Sequence, residues 1–290
     1  MTSAAAGAAK SEIHLSLPAG DHVRIATQGA QVLSWQTAEG QERLYLSPKT
    51  AFDGQTPIRG GVPVCFPQFN NRVLGDAPLH KQPKHGFARI LPWRLESQTA
   101  SPAEAVAILT LQDNPQTRTF WPHAFTAQMQ VRLTPAQLHL EFSVRNTDAV
   151  AWPFALALHT YLQVHSIEQT RLHGLEGQRY WDAVQHLQNM TLRQLQGEAP
   201  LAFDGEMDRV YTCDTPLSLQ DSVNALQISQ SESLSETVVW NPGHTLCASM
   251  VDMPVDGYQH MLCVEAACID KPVTLEPGAL WTGWQHLSVV

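Results

Sequence analysis

The chain has 290 residues, 43% of them apolar, and sets 18 Lys plus Arg against 27 Asp plus Glu, a formal net charge of −9. That acidic balance argues against nucleic acid, whose phosphates require a basic face, and against an anionic membrane surface. No apolar run approaches the roughly 18–20 residues of a membrane-spanning helix, and five cysteines without a C-x-x-C pair fit free thiols in the reducing cytoplasm.

Residues 1–11 have no basic start followed by a hydrophobic stretch, so they read as a disordered lead-in rather than a secretory signal. IHLSL, HVRIAT, QVLSW and RLYLS then predict short strands separated by turn residues, the pattern of an all-β sandwich. EAVAILTLQ and FTAQMQVRLT continue it. In QLHLEFSVRN, Leu138, Leu140, Phe142 and Val144 alternate with His139, Glu141, Ser143 and Arg145, so one face is buried and the other wet. Residues 152–164 alternate between a bulky face (Phe154, Leu156, Leu158, Leu162, Val164) and one of Ala155, Ala157, His159 and Tyr161. Small residues ending in His and Tyr leave room for a ligand above a concave sheet. Residues 183–207 read as loops with a strand or two. ALQIS and TVVWN are strands, and Asn241-Pro242 predicts the N-cap and first residue of a short helix. MLCVEA, PVTL and LWTGWQHLSVV close the chain as strands, with a Pro-Gly turn at 277–278. No linker or repeat divides residues 12–290, which are read as a single domain.

The loop-rich stretch 57–94 interrupts this series and concentrates cations: Arg59, Arg72, Lys81, Lys84, His85, Arg89 and Arg94. Arginine beside glycine lets a guanidinium fork serve a phosphate or carboxylate at a close backbone approach. The plainer reading is a surface loop of solvated charges. No G-x-S-x-G, P-loop or dinucleotide fingerprint occurs, and the His and Cys spacings do not form single-strand metal chelates, so no metal is expected. Acid–base chemistry remains, with His159 and Glu265 as candidates. Glu265 shares its strand face with Cys263 in apolar company. It is either a functional carboxylate or a core Glu paired to an Arg. His159 is either functional or a satisfied sheet histidine. Asp208 is either a sugar ligand or a turn residue, and Trp240 and Trp284 either stack on a sugar or fill the core.

PIRGGVPVCFPQF followed by KHGFAR and LPW, FALALHTYLQV at 154–164, and VEAACIDKPVTLEPGALWTGWQ at 264–285 resemble the hexose-6-phosphate mutarotases, or glucose-6-phosphate 1-epimerases, of the aldose 1-epimerase superfamily. The resemblance runs from about residue 20 to the C-terminus. It implies an antiparallel β-supersandwich of the galactose-mutarotase-like type with few short helices. The implied reaction is cofactor-free interconversion of the α and β anomers of an aldohexose 6-phosphate, glucose 6-phosphate foremost, by a monomer whose partner is that small sugar phosphate. It implies Glu265 as base, His159 as acid, His85 as a donor near the ring, Asp208 on sugar hydroxyls, and Arg59, Lys84 and Arg89 on the 6-phosphate. Lys84 stands where some relatives have Gln, Gly243 where an aromatic is expected, and VEAAC replaces a VEPG-like continuation. A mutarotase for unphosphorylated aldoses and a catalytically silent sugar-binding module are the alternatives.

Overall fold

Alternation of apolar and polar residues sets the strands. The strand Gln137–Asn146 buries Leu138, Leu140, Phe142 and Val144 completely and leaves Gln137 and Arg145 in solvent. Its neighbour Phe125–Thr134 does the same with Met129, Val131 and Leu133. The structure is a computed structural model that describes residues 12–72, 74, 82–186, 189–223 and 225–290. The lead-in expected over residues 1–11 lies outside the described residues, as do His80 and Lys81.

Two eight-stranded antiparallel sheets dominate. The front sheet runs in the order Gln194–Leu195, Arg179–Asp182, Met207–Tyr211, Glu236–Asn241, Met261–Leu275, Trp152–Leu158 and Val64–Cys65, with Tyr161–Gln163 also paired to Met261–Leu275. The rear sheet runs Arg171–His173, Leu217–Gln220, Ala225–Gln230, Leu280–Val289, Gln137–Asn146, Phe125–Thr134, Ala105–Gln112 and Arg94–Ala100. A third sheet joins Glu12–Ser16, His22–Ala26 and Gln31–Gln36. Among the described residues, only Pro115–Phe120 and Gly243–Ser249 are α-helical, and no helix is long and apolar enough to cross a membrane.

The inner faces of front and rear sheets share one apolar core. Leu156, Leu158, Leu262 and Val264 come from the front, and Leu138, Leu140, Phe142 and Leu287 from the rear. Phe66 locks them together, its ring centroid 5.2 Å from Phe142 and 5.6 Å from Phe154. Each such side chain contributes about 1.5–3 kcal/mol by leaving water. The opposite face of the front sheet carries Ala155, Ala157 and Ala267, as the alternation over 152–164 predicted. Small side chains there leave the hollow that holds the site.

Four local differences have physical causes. RLYLS is a set of isolated bridges, Leu44 to Leu162 and Leu46 to Gly60, because the Gly60-Gly61 backbone crosses it closely. A Cβ on Gly60 would stand 2.4 Å from the Tyr45 carbonyl oxygen, and one on Gly61 2.0 Å from that of Val32. The glycine pair therefore serves this backbone crossing, which holds Arg59 in place, rather than the approach of a ligand. The helix begins one residue later than its sequence signal, with Pro242 as N-cap. Asn241 ends a strand instead, and its side chain accepts from the Gly243 N–H at 2.8 Å. MLCVEA and PVTL form one strand, Met261–Leu275, irregular between Cys268 and Val273. The Glu236 carboxylate holds that irregularity by accepting from the N–H groups of Ile269 and Asp270 at 2.5 and 3.0 Å.

Candidate active site

The site begins with a gap in one ladder. Leu158 pairs with Ala266 and Tyr161 with Cys263, so the register is unbroken and places His159 opposite Glu265 and Thr160 opposite Val264. Between those pairs the chain turns its amides elsewhere: His159 N–H donates to the Pro63 carbonyl at 3.0 Å and Thr160 N–H to that of Leu158 at 2.9 Å. Opposite residues of an antiparallel pair point to the same face. His159 and Glu265 accordingly meet on the hollow side, Nδ1 lying 3.3 Å from Oε1. The two stand side by side on the floor, rather than across the cleft from each other.

Burial defines their chemistry. Glu265 is 1% exposed and His159 8%, and among the described residues neither the second carboxylate oxygen, Oε2, nor His159 Nδ1 has a hydrogen-bond partner, the 3.3 Å approach of Nδ1 to Oε1 being an electrostatic contact. No arginine pairs with Glu265 among the described residues, which removes the reading of a core carboxylate in an ion pair. Burial, reinforced by the charge of Asp208, drives the Glu265 carboxyl well above its ordinary value. Burial and then the cations of Arg89 and Arg59 drive His159 well below its own. Tyr161 stacks on the imidazole at 4.8 Å and Trp240 meets it edge-on at 5.9 Å, fixing the ring plane.

These two residues floor a cavity of about 300 Å³ that is also lined by Arg59, Lys84, His85, Asp208, Glu206 and Trp240. His85 occupies a left-handed backbone conformation (φ 65°) just before Gly86. Its Nδ1 accepts from the Asn70 N–H at 3.2 Å, and burial followed by the charge of Arg89 keeps the ring neutral by pushing its pKa well down. The proton of the neutral ring then sits on Nε2, which makes it a donor. Asp208, on the strand Met207–Tyr211, is raised to about 6 by burial, with Lys84 opposing and Asp182 adding to the rise. Arg59 donates from Nε to Asp252 Oδ2 and from Nη1 to the Tyr161 hydroxyl, both at 3.0 Å, and its Nη2 also lies 3.0 Å from Asp252.

Six of the seven residues singled out in the sequence line this one cavity. Arg89 is the seventh: its guanidinium donates to the Lys84 carbonyl at 2.8 Å and is not part of the lining, so its charge acts on the site from one step away. Trp284 is elsewhere, packed on His139 in the rear sheet at 5.4 Å. Sequence reasoning did not single out Glu206, Asp252, Thr160 or Gln285. The acidic pair in GEMDRVY is a faint signal for Glu206. A glutamine at a core position of LWTGWQHLSVV is a stronger one for Gln285. Donor atoms of His159, Cys263 and Glu265 lie within 4.8 Å of one another, a nitrogen, sulfur and oxygen set that spacing along single strands did not anticipate. The Arg59, Arg89 and Lys84 charges that depress the imidazole also oppose a divalent cation there.

A cleft on one face of a two-sheet β-sandwich, with a buried imidazole–carboxylate pair as its floor, brings together the two kinds of group that acid–base chemistry uses. Comparison with known proteins gives the family: the aldose 1-epimerase family matches residues 11–288, and the chain belongs to it. A Cenchrus ciliaris protein provisionally named glucose-6-phosphate 1-epimerase is 35% identical over 90% of this chain and 79% of its own length. An Escherichia coli K12 protein with the same provisional name is 36% identical over 85% of this chain and 81% of its own. Among solved structures, a provisionally named mutarotase from Salmonella typhimurium superposes with a TM-score of 0.84 at 29% identity, covering 96% of this chain and 90% of that one. The galactose 1-epimerase of Lactobacillus acidophilus shares the fold at 14% identity and a TM-score of 0.70, covering 96% of this chain and 94% of that one.

Proposed function

We propose that the protein is an isomerase that interconverts the α and β anomers of an aldohexose 6-phosphate, glucose 6-phosphate being the foremost substrate. The observation that carries this reading is the contact between His159 Nδ1 and Glu265 Oε1, 3.3 Å apart, on the floor of a cavity that also presents Arg59 and Lys84. The relatives' names support the same substrate class.

The surroundings push the two groups in opposite directions. Those of His159 resist the gain of a proton, and those of Glu265 resist the loss of one. One shared proton is what mutarotation needs. Glu265 takes the proton of the anomeric hydroxyl, the C1–O5 bond breaks, and O5 takes a proton from His159, giving the open-chain aldehyde. Rotation about C1–C2 and the reverse transfers close the ring on the other carbonyl face. In the free protein, burial disfavours the charged form of both groups. A phosphate dianion beside Arg59 and Lys84 offsets the cations that depress His159 and moves the proton towards the imidazole. The 6-phosphate thereby sets Glu265 as base and His159 as acid in the opening step. Asp208 and the His85 Nε2–H then hold ring hydroxyls, and Trp240 offers an apolar wall.

The same reading takes residues 12–290 as one domain working as a monomer in the cytoplasm. A second reading, a mutarotase for unphosphorylated aldoses, is favoured by one observation: Asp252 already occupies part of Arg59. Exchange spectroscopy on the anomeric protons of glucose 6-phosphate and glucose separates the two. Faster exchange of the phosphate ester supports the first reading, and equal rates support the second.

A further inference from the structure

Behind the gap in the front sheet lies an amide that neither side chain of the acid–base pair touches. Gln285 sits on the rear-sheet strand Leu280–Val289, between Gly283 and Leu287 on the inward face, and is fully buried. Alternation gives that slot to an apolar residue. A polar amide there is costly unless each of its groups is satisfied. Both are used, and both point across to the front sheet. Gln285 Oε1 accepts from the Thr160 hydroxyl at 2.5 Å, and Nε2 donates to the Val264 carbonyl at 3.0 Å. The chemistry fixes which end is which, because a carbonyl can only accept. The other acceptor within reach of the Thr160 hydroxyl, the Leu158 carbonyl, lies at 3.5 Å.

Thr160 and Val264 are the residues that immediately follow His159 and precede Glu265. They also face each other across the ladder, joined by the Val264 N–H donating to the Thr160 carbonyl at 3.1 Å. One glutamine therefore spans both chain segments at the point where the regular pairing is interrupted. From this geometry we infer that Gln285 is a positioning residue for the reaction: a cross-sheet clamp that sets the separation of His159 and Glu265 from the opposite side of the sheet. It touches neither the cavity nor the sugar. Its effect reaches the reaction through Thr160 and Val264, each one peptide away from a reacting side chain. An acid and base aimed at two atoms of one ring tolerate little drift, since displacement of about 1 Å can cost on the order of a hundredfold in rate.

This inference rests on the acid–base reading of the pair, and its test includes a readout that does not. The variants are Gln285→Met, which keeps length and shape while removing both hydrogen bonds, Thr160→Val, which removes one from the other end, and their combination. For each, kcat and KM are measured by anomer exchange with glucose 6-phosphate. The ring ¹⁵N shifts of His159 are recorded without ligand, assigned by their loss in His159→Gln. The clamp predicts that each single variant lowers kcat by about tenfold or more with KM within about twofold, and shifts the His159 resonances. The double variant should be little worse than either single one, because the two residues act as a unit. If Gln285→Met fails to fold, Thr160→Val carries the same prediction alone. Unchanged kcat and unchanged His159 resonances in a folded variant would reduce Gln285 to a core-filling residue. Should the unaltered protein show no anomer exchange, the acid–base reading falls, and the resonance shift still decides whether the clamp exists.

Discussion

Replacing Arg59 by Met isolates the phosphate contact from the chemistry. An arginine carries five N–H donors. In Arg59, Nε and one Nη2 hydrogen serve Asp252 and one Nη1 hydrogen serves Tyr161, which leaves two for an incoming anion. A charge-assisted hydrogen bond is worth about 1.5–3 kcal/mol, so two give a gross 3–6 kcal/mol. The neighbouring Asp252 carboxylate repels the same anion, which puts the expected loss near the lower end, about 3 kcal/mol or roughly a hundredfold in kcat/KM. The folding cost is small because the Arg59–Asp252 pair is partly solvated, with side chains 25% and 23% exposed. The assay is anomer exchange with glucose 6-phosphate and glucose on the same preparation. Glucose should change by less than about threefold, since it makes no such bond. An equal loss on both sugars would mean that Arg59 braces the cleft through Tyr161, and the phosphate argument would be wrong.

Glu265→Gln and His159→Gln should each depress exchange by at least about a hundredfold in a folded protein, as circular dichroism would verify. Glu265→Gln should melt no lower than the parent, because it replaces a buried carboxyl whose Oε2 is unpartnered among the described residues. Asp208 is raised to about 6, so KM for the sugar phosphate should rise as pH falls through 6 and the carboxylate stops accepting two hydroxyl protons; Asp208→Asn should reduce that dependence to the part set by the substrate's own phosphate, whose second proton also binds near 6. His139 is lowered to about 4 by burial, with His286 and Arg132 adding to the fall. Between 6.5 and about 4 the unfolded chain binds more protons there than the folded one, so stability drops as pH falls through that window. Thermal melts at pH 7, 6, 5 and 4 should show a shallower acid loss in His139→Gln, and an identical slope would remove His139 from the cause.

The strands were the legible part of this fold. A period of two along QLHLEFSVRN and FTAQMQVRLT states both their limits and their buried faces, because a sheet with one covered face leaves no other solution. The alternation of Ala155, Ala157 and His159 against Phe154, Leu156 and Leu158 even located the hollow. RLYLS was misleading because its apolar residues pack against a crossing backbone, and local pattern does not encode that crossing. For the site, residue type and the family resemblance selected six side chains that do share one cavity. What they could not supply is distance. The contact of His159 with Glu265 follows from a register between strands about a hundred residues apart. The engagement of Arg59 by Asp252 and the reach of Gln285 across the core are likewise products of packing. Arg89 looked equivalent to Arg59 in sequence, but packing turns Arg89 to the Lys84 carbonyl and brings Arg59 to Asp252, Tyr161 and the cavity.

The central claim is that a buried imidazole–carboxylate pair opens and closes the ring of a phosphorylated hexose. Its most direct test is exchange spectroscopy on the anomeric protons of glucose 6-phosphate, with the unaltered protein beside Glu265→Gln. The account predicts exchange well above the buffer rate with the unaltered protein, collapsing to near that rate in the variant. Exchange that persists in a folded Glu265→Gln, or is absent from the unaltered protein, would contradict it.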